Sequence, residues 1–136
     1  MQPIEHVVTA HVSTPEHAGG RLVVRIRHLP DDPLAVRLDF APTDDSEQST
    51  TTWAFARSLL TEGVDAPTGE GDVRVWPEGA YETHVQLHTG RGRCVVRFRS
   101  AALRSFLART ELWSPGVDHQ VEAELDRFLA TILRHA

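Results

Sequence analysis

The chain has 136 residues, a formal net charge of −5 and ordinary hydrophobic and charged fractions of 40% and 24%, which favour a single globular domain over residues 1–136. Its single cysteine, Cys94, excludes an internal disulfide framework and a cysteine-only zinc cluster. The N-terminus lacks a secretory-signal pattern and no apolar run is as long as a membrane span, so we expect a cytoplasmic protein without membrane insertion.

The first part of the chain shows the period-two alternation of β-strands. Apolar residues alternate with polar ones over residues 4–12, 21–28 and 34–40, and we interpret the threonine-rich stretch 48–53 as a fourth strand. The turn between the second and third strands contains Pro30, Asp31 and Asp32, residue types that stabilise tight turns.

The periodicity then becomes helical. Thr52 is predicted to N-cap a short helix that starts near Ala54, with Phe55 and Leu59 together on one face at i, i+4 spacing. Gly63 is placed where a residue with positive φ would end that helix. A helix of two to three turns does not persist alone, so its apolar face must dock on the sheet.

Strands return at residues 72–76, 80–88 and 93–99, followed by a helix from Ser100 and a last helix over residues 118–134. We therefore predict an α+β fold with about seven strands in strongly twisted antiparallel β-sheets and two to three helices, in the order ββββα-βββα(α).

The histidines, the cysteine and the glycine-rich segment that could carry reactive chemistry are each better explained by structural roles. His84 and His88 lie four residues apart in a strand, which separates them by about 13 Å, too far for one metal ion. Cys94 lies on an apolar face and is interpreted as a small buried hydrophobe. The G-E-G segment follows a helix and precedes a strand, and the chain has no lysine, so it is not a phosphate-binding loop. Gly69 and Gly71 are instead predicted to give the backbone the freedom for a compact turn. We predict no metal, no cofactor and no enzymatic activity.

All 14 basic residues are arginines, and several lie opposite apolar strand positions. One hypothesis is a basic face for single-stranded nucleic acid, with Trp76, in phase with Arg74, as the one aromatic able to stack a base. The other is a solvated polar face paired across strands with Asp39 and Glu82, which we favour. The face would consist of Arg25, Arg27, Arg37, Arg93, Arg97 and Arg99.

The central segment W-x-F-A-R-x-L-L-x-E-G, followed by P-T-G-x-G-D-V-R-V-W-P, resembles the SsgA-like proteins, the sporulation-specific cell-division proteins of actinomycetes. The likeness extends to DDPLAVRLDF, LRSFLART and ELDRFLATIL, and covers about residues 31–134. The signature residues are Trp53, Phe55, Arg57, Leu60, Glu62, Gly63, Pro67, Thr68, Gly69, Gly71, Asp72, Arg74, Trp76 and Pro77.

The resemblance implies a non-enzymatic adaptor that helps to site or assemble the sporulation septum. It further implies a fold similar to the whirly-type single-stranded nucleic-acid binders and assembly as a homotrimer. The expected partners are other SsgA-like proteins or the tubulin-like FtsZ, at division septa. The signature residues shape the fold or bind a partner, and the sequence does not separate these two roles.

Overall fold

The computed structural model describes residues 3–40, 51–69, 71–90 and 92–113. The order of elements within these ranges is β1 (Ile4–Ser13), β2 (Gly20–Leu29), β3 (Asp32–Phe40), β4 (Thr51–Ala56), α1 (Arg57–Gly63), β5 (Val73–Glu78), β6 (Glu82–Thr89), β7 (Gly92–Arg99) and α2 (Ser100–Trp113). This confirms the predicted α+β class and strand number. Residues 48–50 of the predicted fourth strand and the predicted helix at 118–134 lie outside the described residues.

The strands form one curled antiparallel sheet in the order β4-β3-β2-β1-β7-β6-β5. Two meanders, β1 to β4 and β5 to β7, meet where β1 pairs with β7. That junction is short, from His11 opposite Arg97 to Ser13 opposite Val95, whereas β1 and β2 pair from Ile4 to Val12. The two halves of the sheet therefore share only one end of β1.

Alternation along the strands gives the sheet two unlike faces. The inner face carries the core, which α1 and α2 complete with Leu60 and Phe106, both without exposed surface. Each large apolar side chain buried there contributes about 1.5–3 kcal/mol. The other face, here called the outer face, carries the polar partners of the same strands. The strand residues of the core are Ile4, Ala10, Val24, Ile26, Val36, Leu38, Phe55, Val73, Val75, Val85, Leu87, Val96 and Phe98.

Helix α2 follows β7 directly and packs on both β7 and β1. The His6 ring meets the Phe106 ring edge-on, with centroids 5.5 Å apart. Burial lowers the pKa of His6, and the positive charge of Arg109 lowers it further. Helix α2 is therefore held against the part of β1 that lies beyond the β1–β7 junction.

The predicted start of the first helix is wrong. Residues 51–56 pair with β3 from Phe40 opposite Thr51 to Ala35 opposite Ala56, and α1 begins only at Arg57. Ala56 occupies the N-cap position and makes no side-chain capping bond. The Thr52 hydroxyl instead donates to Asp39 at 2.7 Å on the neighbouring strand. Pairing with β3 therefore outweighs the local helix pattern, and Phe55 is a buried strand residue.

The predicted role of Gly63 is also wrong. Positive φ angles occur at Gly19, Gly69, Gly71, Gly79 and Gly92, and Gly63 is not among them. A Cβ atom at Gly63 would lie 2.2 Å from Cγ1 and 2.4 Å from Cβ of Val75. The position needs a glycine because α1 approaches β5 closely, not because the backbone turns left-handed there.

Candidate binding face and signature segment

The signature segment begins on β4 and α1, where it supplies contacts to the core. Phe55 and Leu60 are buried, and Trp53 is half-buried against the core. Two apolar residues of the signature thus point inward from β4 and one from α1, so this part of the signature fixes α1 on the inner face.

Arg57 ties the two helices together. Its Nε donates to the Thr110 hydroxyl of α2 at 2.9 Å, and that hydroxyl donates to the carbonyl oxygen of Leu107 at 2.7 Å. Thr110 has no exposed surface. Arg104 of α2 also donates to the Val64 carbonyl and to the Asp65 carboxylate, so a second guanidinium holds the end of α1.

The loop after α1 folds back on β5 as a compact turn. Thr68 and Val75 exchange two backbone hydrogen bonds of 2.8 and 3.0 Å, and the Thr68 hydroxyl donates to the Glu62 carboxylate at 3.1 Å. Gly69 and Gly71 have φ angles of +100° and +87°. The predicted backbone freedom of these two glycines is therefore confirmed.

The remaining signature residues run into β5. The backbone carbonyl of Asp72 accepts from the His88 N–H at 2.8 Å. Arg74 is exposed and Trp76 is half-buried on the outer face, while Pro77 lies opposite Thr83 of β6. Most signature residues thus have a structural contact, and binding of a partner by any of them stays a prediction.

The six arginines predicted to share a face do share the outer face, but they do not form a uniform field of free charge. Arg27 binds Asp39 through two nitrogens, with Nη2 at 2.9 Å from Oδ1 and Nε at 2.6 Å from Oδ2. Arg37 binds Asp32 at 2.8 Å. Among the described residues, no carboxylate pairs with the other four, Arg25, Arg93, Arg97 and Arg99.

The charge of Asp39 is stabilised by this arrangement. Burial alone would raise the pKa of Asp39, but hydrogen bonds from Arg27 and Thr52, together with the charges of Arg27 and Arg25, hold it below its usual value. The cross-strand pairing predicted for Asp39 is thereby confirmed, whereas Glu82 contacts His84 at 3.3 Å rather than an arginine.

The environments of Cys94 and His84 do not favour reactive chemistry. Cys94 is half-buried beside the core, and burial raises the pKa of its thiol, which disfavours the nucleophilic thiolate. His84 lies in contact with the Trp76 ring, with centroids 5.7 Å apart. Within the part of the chain that the structure describes, no group of three or more metal-ligating side chains forms. No helix among those residues is long and apolar enough to cross a membrane.

The register of the sheet shows neighbours that sequence reasoning missed. Arg21 lies opposite His11, and His11 lies opposite Arg97 across the β1–β7 junction. Neither Arg21 nor His11 was included in the predicted basic face. Period-two alternation places both residues on the outer face, but only the pairing of β1 with β7 brings them beside Arg97.

Comparisons with known proteins identify relatives that match most of the chain. The family model of the Streptomyces sporulation and cell division protein SsgA matches residues 22–116. The sporulation-specific cell division protein SsgB of Streptomyces coelicolor is 37% identical over 131 residues, covering 93% of this chain and 88% of that protein. SsgB of Thermobifida fusca is 35% identical over 119 residues, covering 85% and 84%.

Solved structures agree with these matches. The crystal structure of an SsgA-like sporulation-specific cell division protein from Thermobifida fusca superposes with a TM-score of 0.76 at 32% identity, covering 99% of this chain and 96% of that chain. A structure of SsgB, from work linking its mutations to longitudinal cell division during sporulation of Streptomyces coelicolor, has a TM-score of 0.74 at 30% identity, covering 88% and 94%. The chain belongs to the SsgA family of sporulation and cell division proteins.

Proposed function

We propose that this protein is a non-enzymatic adaptor of sporulation-specific cell division, which helps to site or assemble the septum by binding other proteins. Membership of the SsgA family carries the proposal, because its relatives are sporulation-specific cell division proteins. The expected partners are other SsgA-like proteins or FtsZ, and the expected place of action is the cytoplasmic side of the division septum.

The outer face offers surface suited to protein binding. Val7 and Val23 are 65% and 53% exposed. They are diagonal neighbours, since Val7 lies opposite Arg25 and Thr9 lies opposite Val23. Arginine is enriched at protein interfaces, and the two exposed valines add apolar area that a partner can bury. We propose that this or an equivalent surface supports assembly, and we keep the homotrimer as the expected state.

Two experiments test the adaptor function. Deletion of the gene in its host should leave vegetative growth intact and reduce or misplace sporulation septa, and affinity purification from sporulating cells should recover FtsZ or another SsgA-like protein. Normal septation after deletion would contradict the proposal. Light scattering of the purified protein tests assembly separately, and a monomer mass at micromolar concentration would contradict the trimer.

The alternative function is binding of single-stranded nucleic acid on the outer face, in the manner of a whirly-type fold. It is motivated by the four arginines there that lack a carboxylate partner among the described residues. Binding driven by phosphate contacts weakens steeply with salt. A titration with oligo-dT at 50 and 200 mM salt therefore tests it, and a flat titration at both concentrations excludes it.

A further inference from the structure

One row of side chains crosses five strands of the sheet on the outer face. Each member lies directly opposite the next in the hydrogen-bonded register, so neighbouring side chains can interact. At a strand spacing of about 4.8 Å, the four intervals of the row span about 19 Å. The row, here called the arginine–histidine row, consists of Arg21 on β2, His11 on β1, Arg97 on β7, His84 on β6 and Trp76 on β5.

The centre of the row has unused hydrogen-bonding capacity. Arg97 Nε and His11 Nδ1 are buried atoms without a hydrogen-bond partner among the described residues. These two residues lie opposite each other at the β1–β7 junction. A buried polar group without a partner is costly, and a guanidinium always keeps its charge. Arg97 also has no carboxylate partner among the described residues, so the pair keeps a positive charge that an anion from outside the chain can neutralise.

An open groove lies over this pair and is electrostatically positive. Its lining includes three guanidinium groups, Arg21, Arg97 and Arg99, against one carboxylate, Glu82. Glu82 is already engaged by His84 Nε2 at 3.3 Å. The groove therefore has the charge of an anion site in a protein whose formal net charge is −5.

We propose that this groove binds a carboxylate from an acidic segment of a protein partner, seated between Arg21 and Arg97. Planar guanidinium groups bind carboxylates through two parallel hydrogen bonds, which gives the site its chemical preference. The inference rests on the proposed adaptor function, because it names the chemistry of the partner that the adaptor recognises.

The same residues are poorly suited to a nucleic-acid strand. Single-stranded binders interleave basic groups with several aromatic stacking platforms. The row has one aromatic residue, Trp76, whose indole N–H donates to Glu78 at 3.2 Å and whose ring lies against His84. The carboxylates of Glu78 and Glu82 flank this end and would repel successive phosphates. A single carboxylate seated between Arg21 and Arg97 lies away from the Trp76–Glu78 end of the row and is less exposed to that repulsion.

Fluorescence anisotropy with purified full-length protein tests the proposal. The probe is a labelled deca-glutamate peptide, with deca-glutamine and oligo-dT of ten nucleotides as comparison probes. We expect saturable binding of deca-glutamate, and a loss of about tenfold in affinity for Arg97→Gln or Arg21→Gln, since each removes a charge-assisted bond.

Two further variants separate a site from general electrostatics. Arg25→Gln removes the same charge from the same face of β2, opposite Val7 and outside the row, and should change the affinity by less than twofold. Glu82→Gln removes the one carboxylate of the groove lining and should tighten binding severalfold, a gain that misfolding cannot imitate. Equal losses for Arg25→Gln and Arg97→Gln would overturn the proposal, as would tighter binding of oligo-dT than of deca-glutamate or no binding of either.

The proposal and the adaptor function can fail separately. If Arg97→Gln weakens deca-glutamate binding but gene deletion leaves septation normal, the carboxylate site is supported and the proposed adaptor function is contradicted. If gene deletion disrupts septum formation but Arg97→Gln leaves deca-glutamate binding unchanged, the adaptor function is supported and the carboxylate site is overturned.

Discussion

The sharpest stability prediction concerns Gly63→Ala, because two effects of opposite sign act at this position. Alanine favours a helix by up to about 1 kcal/mol over glycine, and Gly63 lies in α1 without a positive φ. On helix propensity alone the variant would be stabilised. The close contact of Gly63 with β5 is expected to outweigh this gain and to destabilise the variant.

The added methyl group has no room. Its carbon would lie 2.2 Å from Val75 Cγ1 and 2.4 Å from Val75 Cβ, and rotation about χ1 moves only the first of these atoms. Val75 cannot retreat, because its backbone is hydrogen-bonded to Thr68 and its strand pairs with β6 at Val85. Overpacking costs about 1–3 kcal/mol, and contacts as short as 2.2 Å indicate the upper part of that range. After the helix gain of up to about 1 kcal/mol is subtracted, we expect net destabilisation of about 1–2 kcal/mol.

Urea unfolding measures the difference as a change in midpoint at constant slope. Gly20→Ala is the matched control, since Gly20 has no positive φ and no heavy atom within 4 Å of its added Cβ, and it should stay within about 0.5 kcal/mol of the parent. Gly63→Asn separates the two explanations of the glycine. A left-handed cap tolerates asparagine better than alanine, whereas a close approach to Val75 makes asparagine the worse of the two. Gly63→Ala that is as stable as the parent would refute the close-approach reasoning.

Three other predictions concern separate contacts. Asp39→Asn should lower the free energy of unfolding by about 1–2 kcal/mol at neutral pH. Because the folded-state pKa of Asp39 is below its usual value of 3.8, the ionised carboxylate contributes stability above pH 3.8, and this contribution is lost as the pH falls further. The thermal midpoints of variant and parent should therefore converge below pH 3.8. Thr110→Val should cost about 1–2 kcal/mol by leaving Arg57 Nε without its acceptor, and a thermal midpoint equal to that of the parent would contradict the helix-to-helix role of that bond. Gly69→Ala should be more destabilising in urea unfolding than Gly71→Ala. Both glycines have positive φ, but only the Cβ added at Gly69 would also clash with backbone, at 2.4 Å from the Val73 carbonyl oxygen. Gly71→Ala has open space and should cost about 1–2 kcal/mol, and equal costs for the two variants would mean that the backbone at Val73 moves aside.

Much of the fold follows from local patterns. Leu22, Val24 and Ile26 alternate with Arg21, Val23, Arg25 and Arg27, which identifies both the strand and its inner face, because a side-chain period of two leaves few other arrangements. The backbone freedom predicted for Gly69 and Gly71 follows from their place in a turn between a helix and a strand, and both have positive φ.

The failures are informative because tertiary contacts reversed a valid local pattern. Phe55 and Leu59 have helical spacing, yet six residue pairs between β3 and β4 keep Phe55 in a strand. Gly63 has the position of a helix terminator, yet its required property is lack of volume against Val75. Phe55 pairs with Val36 and Gly63 lies against Val75, and these partners are too far along the chain to enter a local periodicity.

The sequence by itself determined the α+β class, the strand faces, the family and the outer position of the arginines. Only the tertiary structure decided which of those arginines have a carboxylate partner among the described residues, as when Asp39 contacts Arg27 on the neighbouring strand. It also decided that Arg21, His11 and Arg97 are neighbours, since that depends on a junction between β1 and β7, which are far apart along the chain. Periodicity determines the direction of a side chain within its own strand, whereas register determines which side chains lie beside it, and register is a property of the folded sheet.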